Sequence, residues 1–242
     1  MPHTLFISDL HLSEDQSQIS QLFLNFTRLT APHAERLYIL GDLFEYWAGD
    51  DDRDTPFHRQ IIAAIRSVSE QGTPVFIMHG NRDFLMDEQL AQACLATILP
   101  DPTLIDLYGT PTLLTHGDAM CTDDVQYQAF RKQVRDPAWR AGFLAQPLAQ
   151  RKATIEQLRK MSEAQKQTKA LDIMDVNPDA VAEQFRSLNY PRMIHGHTHR
   201  QKYHVQEVDG KTCERWVLGD WHETGNALSC DANGCRFQLI KL

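Results

Sequence analysis

The sequence predicts an α/β domain, and two observations carry that expectation. Short apolar runs recur, each ending in a polar cluster: "TLFI" before "SDLH", "LYIL" before "GDLFE", "VFIM" before "HGNRD", "TLLT" before "HGD" and "RMI" before "HGHTH". Runs this short, closed by Gly, Asp or Asn, read as buried strands that open into loops. Segments of helical period lie between several of them, and alternating strands and helices build α/β layers. In such sheets functional groups gather in the crevice at the carboxyl ends of the strands.

Taken in order, the stripe Ile19, Leu22, Phe23 and Phe26 within 18–29 predicts a first helix. "DTPFHRQIIAAIRSVSEQG" predicts a second: Asp-Thr-Pro starts it, Gly stops it, and Phe57, Ile61, Ile62, Ile65 and Val68 mark its buried face. From Val125 to Ala182 the rhythm breaks into a Gln- and Ala-rich, helix-prone segment. We therefore expect a core of 1–124 and 183–242 carrying a helical insertion, 125–182, over the strand ends. "RWVLGDW" and "RFQLIKL" read as closing antiparallel strands.

Charge divides the chain the same way. Between Gln126 and Ala170 ten Lys and Arg oppose three acids, so that segment is +7 while the whole chain is −8. A split of this kind suggests a separate functional surface, and the acidic remainder offers no track for a nucleic-acid backbone. No stretch approaches 18 consecutive apolar residues, and the N-terminus lacks a basic start for a signal peptide. The five cysteines show no CxxC spacing, which reads as bystander thiols in a reduced cytoplasmic protein. Cys230 and Cys235 have no second thiol pair to complete a metal site.

The five strand exits deliver Asp9 and His11, then Asp42, Asn81, His116, and His197 with His199. In an extended segment residues i and i+2 point the same way, which pairs Asp9 with His11 and His197 with His199. Singly, an Asp-x-His or a Gly-Asp after a strand is as easily a turn. Together they are seven oxygen and nitrogen donors at one sheet edge, too many for one ion and suited to two that share a carboxylate. Two such ions lower the pKa of water from about 15.7 toward neutrality and neutralise charge on a phosphoryl group. Mn²⁺, Fe²⁺ or Zn²⁺ suits these ligands.

This ordered pattern resembles the calcineurin-like metallophosphoesterases: D-x-H, G-D, G-N, H and G-H-x-H stand here as Asp9-Leu10-His11, Gly41-Asp42, Gly80-Asn81, His116 and Gly196-His197-Thr198-His199. The resemblance implies a four-layer α-β-β-α sandwich with the insertion as a cap. It implies one metal on Asp9, His11, Asp42 and His199, and another on Asp42, Asn81, His116 and His197, with Asp42 as the bridge. His195 is not needed by the pattern and is assigned to support or packing. Asp42, Asn81, Arg82 and His116 are the expected catalytic residues.

One departure bears on chemistry. Many family members carry His after Gly-Asn, whereas this chain carries Arg82. Arginine holds phosphate but does not usefully donate a proton at neutral pH. Such a site needs a leaving group that departs without protonation, for example a nucleoside phosphate expelled from a pyrophosphate.

"LYILGDLFEYWAGDDD", "HGNRDFL", "HGDAMCTDD", "YQAFR", "IMDVN" and "IHGHTHR" are together similar to the bacterial UDP-2,3-diacylglucosamine diphosphatases of lipid A synthesis. That closer resemblance implies two Mn²⁺ ions, a lipid-linked nucleotide sugar as substrate, and peripheral association with the cytoplasmic face of the inner membrane. Substrate contacts then fall on Asn81, Arg82, Asp124, Ser162, Lys166, Lys169 and His197, of which Ser162 and Asp124 serve equally well as solvated or capping residues. A cap mixing Trp139, Phe143, Leu144, Leu148, Ile155, Leu158 and Met161 with cations would take acyl chains and meet anionic headgroups. Trp47 and Phe44 belong either to that wall or to the core. Alternatives are another nucleotide or cyclic-nucleotide phosphodiesterase on the same metals, and a metal-free scaffold.

Overall fold

Two β-sheets stack face to face, and the period-two pattern of the strands explains why. The computed structural model describes residues 2–166 and 175–241. Its elements run β1 (Thr4–Ile7), α1 (Ser17–Leu29), β2 (Arg36–Leu40), α2 (Pro56–Glu70), β3 (Val75–Met78), α3 (Glu88–Cys94), β4 (Ala96–Leu99), β5 (Thr103–Leu107) and β6 (Thr110–Thr115). They continue α4 (Val125–Val134), α5 (Pro137–Leu144), α6 (Leu148–Lys166), α7 (Pro178–Ser187), β7 (Arg192–His195), β8 (Lys202–Val208), β9 (Lys211–Val217), β10 (Gly225–Asp231) and β11 (Gly234–Ile240).

The first sheet has the order β11-β10-β1-β2-β3-β4 and the second β5-β6-β7-β9-β8. Along β1, β2 and β3, side chains alternate between two cores. Leu5, Ile7, Leu37, Ile39, Val75 and Ile77 face the helix side, where Ile19, Phe23, Phe26 and the Ile61-Ile65 stripe meet them. Phe6, Tyr38, Leu40 and Met78 face the other way, against Leu114 and Ile194 of the second sheet. Met193 and Leu113, one residue out of phase, join Val181 and Phe185 of α7 on the far side. The result is helices, sheet, sheet, helix: the α-β-β-α order that the resemblance implies.

Local signals act as expected. The Thr55 hydroxyl accepts from His58 N at 3.1 Å, Pro56 opens α2, and Gly72 follows its end at φ +97°. β9 runs antiparallel to β8 but parallel to β7, so "RWVLGDW", expected as a closing antiparallel strand, lies inside the second sheet with one neighbour of each sense, and β8 forms the edge. Where the sequence leaves five thiols, the structure pairs Cys230 with Cys235 as a disulfide. The β10–β11 register sets the two directly opposite, with Cα atoms 4.1 Å apart, while Cys94, Cys121 and Cys213 are buried and form no disulfide. Among the described residues no helix is long and apolar enough to cross a membrane.

The helices α4, α5 and α6 lie over the strand ends, and their basic charge points inward. Arg131 and Arg135 reach Asp118 (2.8 and 3.4 Å), Arg140 reaches Asp87 (3.1 Å), Arg151 pairs with Asp51, Lys152 with Asp52 (2.5 Å) and Arg159 with Glu45 (2.9 Å). Among the described residues, six cations of the basic segment thus pair with core acids. Much of the segment's basic charge is thus docking chemistry. α7 starts at Pro178 but packs on the second sheet as its outer layer.

Candidate metal centre

All five strand-exit motifs meet at one edge of the two sheets. The exits are joined by backbone bonds: Asp9 N donates to Gly41 O (3.1 Å), His11 N to Asp42 O (3.0 Å), and Gly196 N to His116 O (2.9 Å). Asp9 and Asp42 are buried at 0 and 1% exposure, His116 at 0%, while His11, Asn81 and His197 are half-buried. Two glycines allow this crowding. A Cβ on Gly80 would lie 2.0 Å from Asp42 Oδ1, and one on Gly196 would lie 1.9 Å from Ser8 Oγ and 2.3 Å from Asp9 Oδ2.

The backbone reason for the paired donors differs from the pleat that the spacing suggests. Asp9, His11, Asp42, His197 and His199 all have positive φ, between 51° and 69°. For residues with a side chain this region costs about 1 kcal/mol or more each, and such strain concentrates at functional sites. Asp9 and His11, and likewise His197 and His199, converge because both members turn left-handed. His195, before that turn, stays in the strand: its Nδ1–H donates to Gly196 O (2.9 Å), and its Nε2 accepts from Arg215 (3.1 Å). Burial and the Arg215 charge lower its pKa to about 3, leaving a neutral packing residue.

Donor atoms of Asp9, His11 and His199 lie within 4.8 Å of one another, as do those of Asp9, Asp42 and His116. His199 Nε2 is 3.4 Å from Asp9 Oδ1, and Asp42 Oδ2 is 3.8 Å from both His11 Nε2 and His116 Nε2. Asn81 Oδ1 sits 3.1 Å from His116 Nε2 and 2.8 Å from His197 Nδ1. Asp42 Oδ2 thus lies between His11 and His116, while Asp9 belongs to both groups of donors.

The chemistry of the donor set fits cations. His11 donates its Nδ1–H to Glu45 Oε2 (2.8 Å), His116 to Leu40 O (2.9 Å), and His199 to Asp220 Oδ2 (3.0 Å). Each ring is thereby fixed with its Nε2 lone pair inward, as metal-ligating histidines are. Yet His11 Nε2 and His199 Nε2 face each other at 3.3 Å, and His116 Nε2 faces the Asn81 carbonyl oxygen. Acceptor facing acceptor holds together only with a proton or a cation between.

The electrostatics agree. Burial opposes charge on His116, but Asp42, Asp9 and Asp118 raise its pKa to about 9. Burial likewise opposes charge on His199, but Asp220 and Asp9 raise it to about 10. Burial alone would push Asp9 up, yet the His199 hydrogen bond and the surrounding imidazoles hold it well below the usual carboxylate range. His197 is lowered to about 4 by burial and the His116 charge.

A cavity of about 490 Å³ opens from this cluster. Asn81, Arg82, Asp124, Ser162 and His197, five of the seven expected substrate contacts, line it. Lys166 closes α6 and Lys169 follows; the Lys166 side chain and Lys169 lie outside the described residues. Asp124 also caps α4, accepting from Tyr127 N at 3.1 Å. Phe84, Phe130, Trp139, Phe143, Ile155 and Leu158 form its apolar wall, with the Trp139 and Phe143 rings stacked at 4.9 Å. Phe44 belongs to the core, whereas Trp47 is buried in the core with an edge on the cavity.

Several acids here are not legible as ligands in sequence. Asp83 accepts from Leu43 N and Gly80 N, both at 2.8 Å, and so clamps the Asp42 loop to the Asn81 loop; burial and Asp42 raise its pKa to about 6. Asp118 accepts from Tyr127 and Arg131 and anchors α4, whose Tyr127 ring stacks over His197 at 6.0 Å. Glu45 and Asp220 orient His11 and His199. Their signal was present, since Asp83, Asp118 and Glu45 stand inside "HGNRD", "HGD" and "GDLFE", and Asp220 lies in "RWVLGDW".

Residues 2–201 match the family described as Calcineurin-like phosphoesterase. The chain is 54% identical over 230 residues to the UDP-2,3-diacylglucosamine hydrolase of Aromatoleum aromaticum, covering 95% of this chain and 94% of that one. It is 49% identical over 246 residues to the protein of the same name from Xanthomonas axonopodis pv. citri, with 99% of each covered. Among solved structures, a dimetal phosphatase from Danio rerio shares the fold, with a TM-score of 0.50 at 11% identity over 99% of this chain and 98% of that one.

Proposed function

This chain belongs to the calcineurin-like phosphoesterase family, and on that premise we propose that it hydrolyses UDP-2,3-diacylglucosamine in lipid A synthesis. Water attacks the α-phosphorus, the bond from that phosphorus to the bridging oxygen breaks, and the products are UMP and 2,3-diacylglucosamine 1-phosphate (lipid X). One observation carries the reading: a single cavity joins a divalent-cation donor set at one end to an aromatic and aliphatic wall at the other. A nucleotide sugar without acyl chains needs no such wall.

Two Mn²⁺ ions fit the donors, one on Asp9, His11, Asp42 and His199, the other on Asp42, Asn81, His116 and His197. Lewis acidity toward the phosphoryl group and a lowered water pKa are what a pair of divalent ions supplies at such a centre. The chain's own residues do the rest. Arg82 lines the cavity beside Asn81, where a guanidinium can hold phosphoryl oxygens in a planar, bidentate way. No proton donor is required of it, because the expelled group is a sugar phosphate that leaves as a stabilised anion. The Arg82 backbone N–H donates to Asp42 Oδ1 at 2.8 Å, holding the shared carboxylate in place. Asp124 and Ser162 line the same cavity and are assigned to substrate contact; Lys166 and Lys169 are assigned to it from the sequence alone. The helices α4–α6 form the cap that admits the acyl chains and excludes water from them.

Peripheral attachment to the cytoplasmic face of the inner membrane follows from the substrate's two acyl chains. It is supported by the apolar wall reaching the surface: Met161 lines the cavity and is 59% exposed, and Val125, beside the cavity-lining Gln126, is 73% exposed.

The test is mass spectrometry of UDP-2,3-diacylglucosamine incubated with purified protein, with and without Mn²⁺. UMP and lipid X in the Mn²⁺ sample alone is the expected result. Intact substrate in both samples would overturn the assignment.

A further inference from the structure

Among the described residues, three cation–acid contacts fasten α6 to the core. Arg151 and Lys152 engage Asp51 and Asp52 near the start of the helix. Two turns after Lys152, Arg159 donates from Nη2 to Glu45 Oε1 at 2.9 Å. This last contact differs from the others in what lies behind it. The second oxygen of the same carboxylate, Glu45 Oε2, accepts the Nδ1–H of His11 at 2.8 Å, and Arg82 Nη1 lies 3.6 Å from Oε1. Glu45 is a largely covered side chain, 13% exposed, so water does not substitute freely for either partner.

A carboxylate suits this position for a reason of chemistry. It accepts at both oxygens, whereas glutamine offers one acceptor and one donor and satisfies only one of two facing N–H groups. The group on one side fixes the ring of a metal-binding residue, and the group on the other belongs to the cap.

We propose that Glu45 is a positioning residue that couples the docking of α6 to the orientation of His11, so that a seated cap and a competent metal centre support each other. The inference rests on the reading of the centre as a metal site. When α6 lifts, Arg159 leaves, Glu45 gains rotamer freedom, and the His11 ring loses the partner that holds its Nε2 inward. In the other direction, a cation on Nε2 makes the Nδ1–H a stronger donor, which holds Glu45 in the rotamer that Arg159 requires. Coupling of this kind is reciprocal by linkage. A cap that closed independently of the metals would leave a half-built centre open to water.

Full-length protein tests it by two readouts that need no substrate: Mn²⁺ affinity, from free Mn²⁺ followed by paramagnetic resonance, and hydrogen exchange of amides in 149–160. In the wild type, Mn²⁺ should slow exchange along α6, a comparison that requires no substitution. Arg159→Met keeps an apolar stem and touches no proposed ligand, yet it should weaken Mn²⁺ binding roughly fivefold or more. Glu45→Gln should weaken it about tenfold or more and abolish the effect of Mn²⁺ on α6 exchange. Wild-type Mn²⁺ binding with unchanged α6 exchange, or wild-type affinity in Arg159→Met, would overturn the coupling alone. Failure of the wild type to bind Mn²⁺ would remove the metal-centre reading and this inference with it.

Discussion

The Nε2 atoms of His11 and His199 face each other at 3.3 Å, each ring held from behind by a carboxylate, Glu45 for one and Asp220 for the other. Two lone pairs aimed at one point make a cation site that protons occupy when metal does not. The folded pKa values of His116 and His199, about 9 and about 10, lie above the ordinary 6.5. Their protonated forms therefore add stability to the metal-free protein that is fully present below about pH 6.5 and is lost as pH rises through 9 to 10. A cation on the same nitrogens must displace those protons. Mn²⁺ binding at pH 7.5 should accordingly release roughly one to two protons per chain, and affinity should rise with pH up to about 9. Calorimetric titrations in two buffers of different ionisation enthalpy measure the release; heats independent of buffer would exclude it.

Close approach of the loops carries a second expectation. Gly196 passes so near Ser8 and Asp9 that a methyl group there would overlap both side chains. Gly196→Ala should displace the turn that carries His197 and His199, costing about 2–4 kcal/mol of stability and most of the Mn²⁺ affinity. Thermal melting and metal titration of the variant check this. A melting temperature and affinity equal to wild type would mean that the turn has room to spare.

The strands were legible because burial on both faces leaves little choice of residue. Phe6, Tyr38 and Met78 alternate with Leu5, Ile39 and Ile77, and the polar residues that end each run have no packing use there. The seven donors stood out for the same reason. What stayed hidden depends on which ring a lone acid faces across the fold. Glu45 and His11 are 34 positions apart, with no period to connect them. The direction of the insertion's charge was equally invisible: composition counts Arg131, Arg151 and Arg159 as basic, but only the docked helices show that each is directed at a core carboxylate. The left-handed turns at Asp9, His11, His197 and His199 replace the pleat that period-two spacing suggests, because the regular ladders stop before them, β1 at Ile7 and β7 at His195.

The Arg82 side chain can be truncated without removing a partner of the Asp42 carboxylate, because it is the Arg82 backbone that donates to Asp42. Arg82→Ala should lower kcat/KM for the diacylated substrate by about 10²–10³-fold, the scale for removal of one charge-stabilising donor, and lower Mn²⁺ affinity by less than Arg159→Met does, since Arg82 Nη1 lies 3.6 Å from Glu45 Oε1 and Arg159 Nη2 only 2.9 Å. Arg82→His tests whether a proton donor can replace it. Full activity in that variant would show that holding the phosphoryl oxygens with a guanidinium is not required.

The cap's apolar wall should discriminate by acyl chain and not by phosphoester. Leu158 lines the cavity from α6 alongside Ile155, well within the wall that Trp139 and Phe143 extend. Leu158→Asp places a charge where acyl methylenes are expected. Loss of two or three buried methylenes at about 0.8 kcal/mol each corresponds to a tenfold to hundredfold weaker complex. The variant should therefore raise KM for UDP-2,3-diacylglucosamine by about that factor. Turnover of bis(p-nitrophenyl) phosphate, which has no acyl chains, should stay within about twofold, since a wall contact adds nothing to a ligand that does not reach it. If both substrates fell together, the substitution would have damaged the metal centre or the fold. If neither changed, the chains would lie elsewhere than against α6.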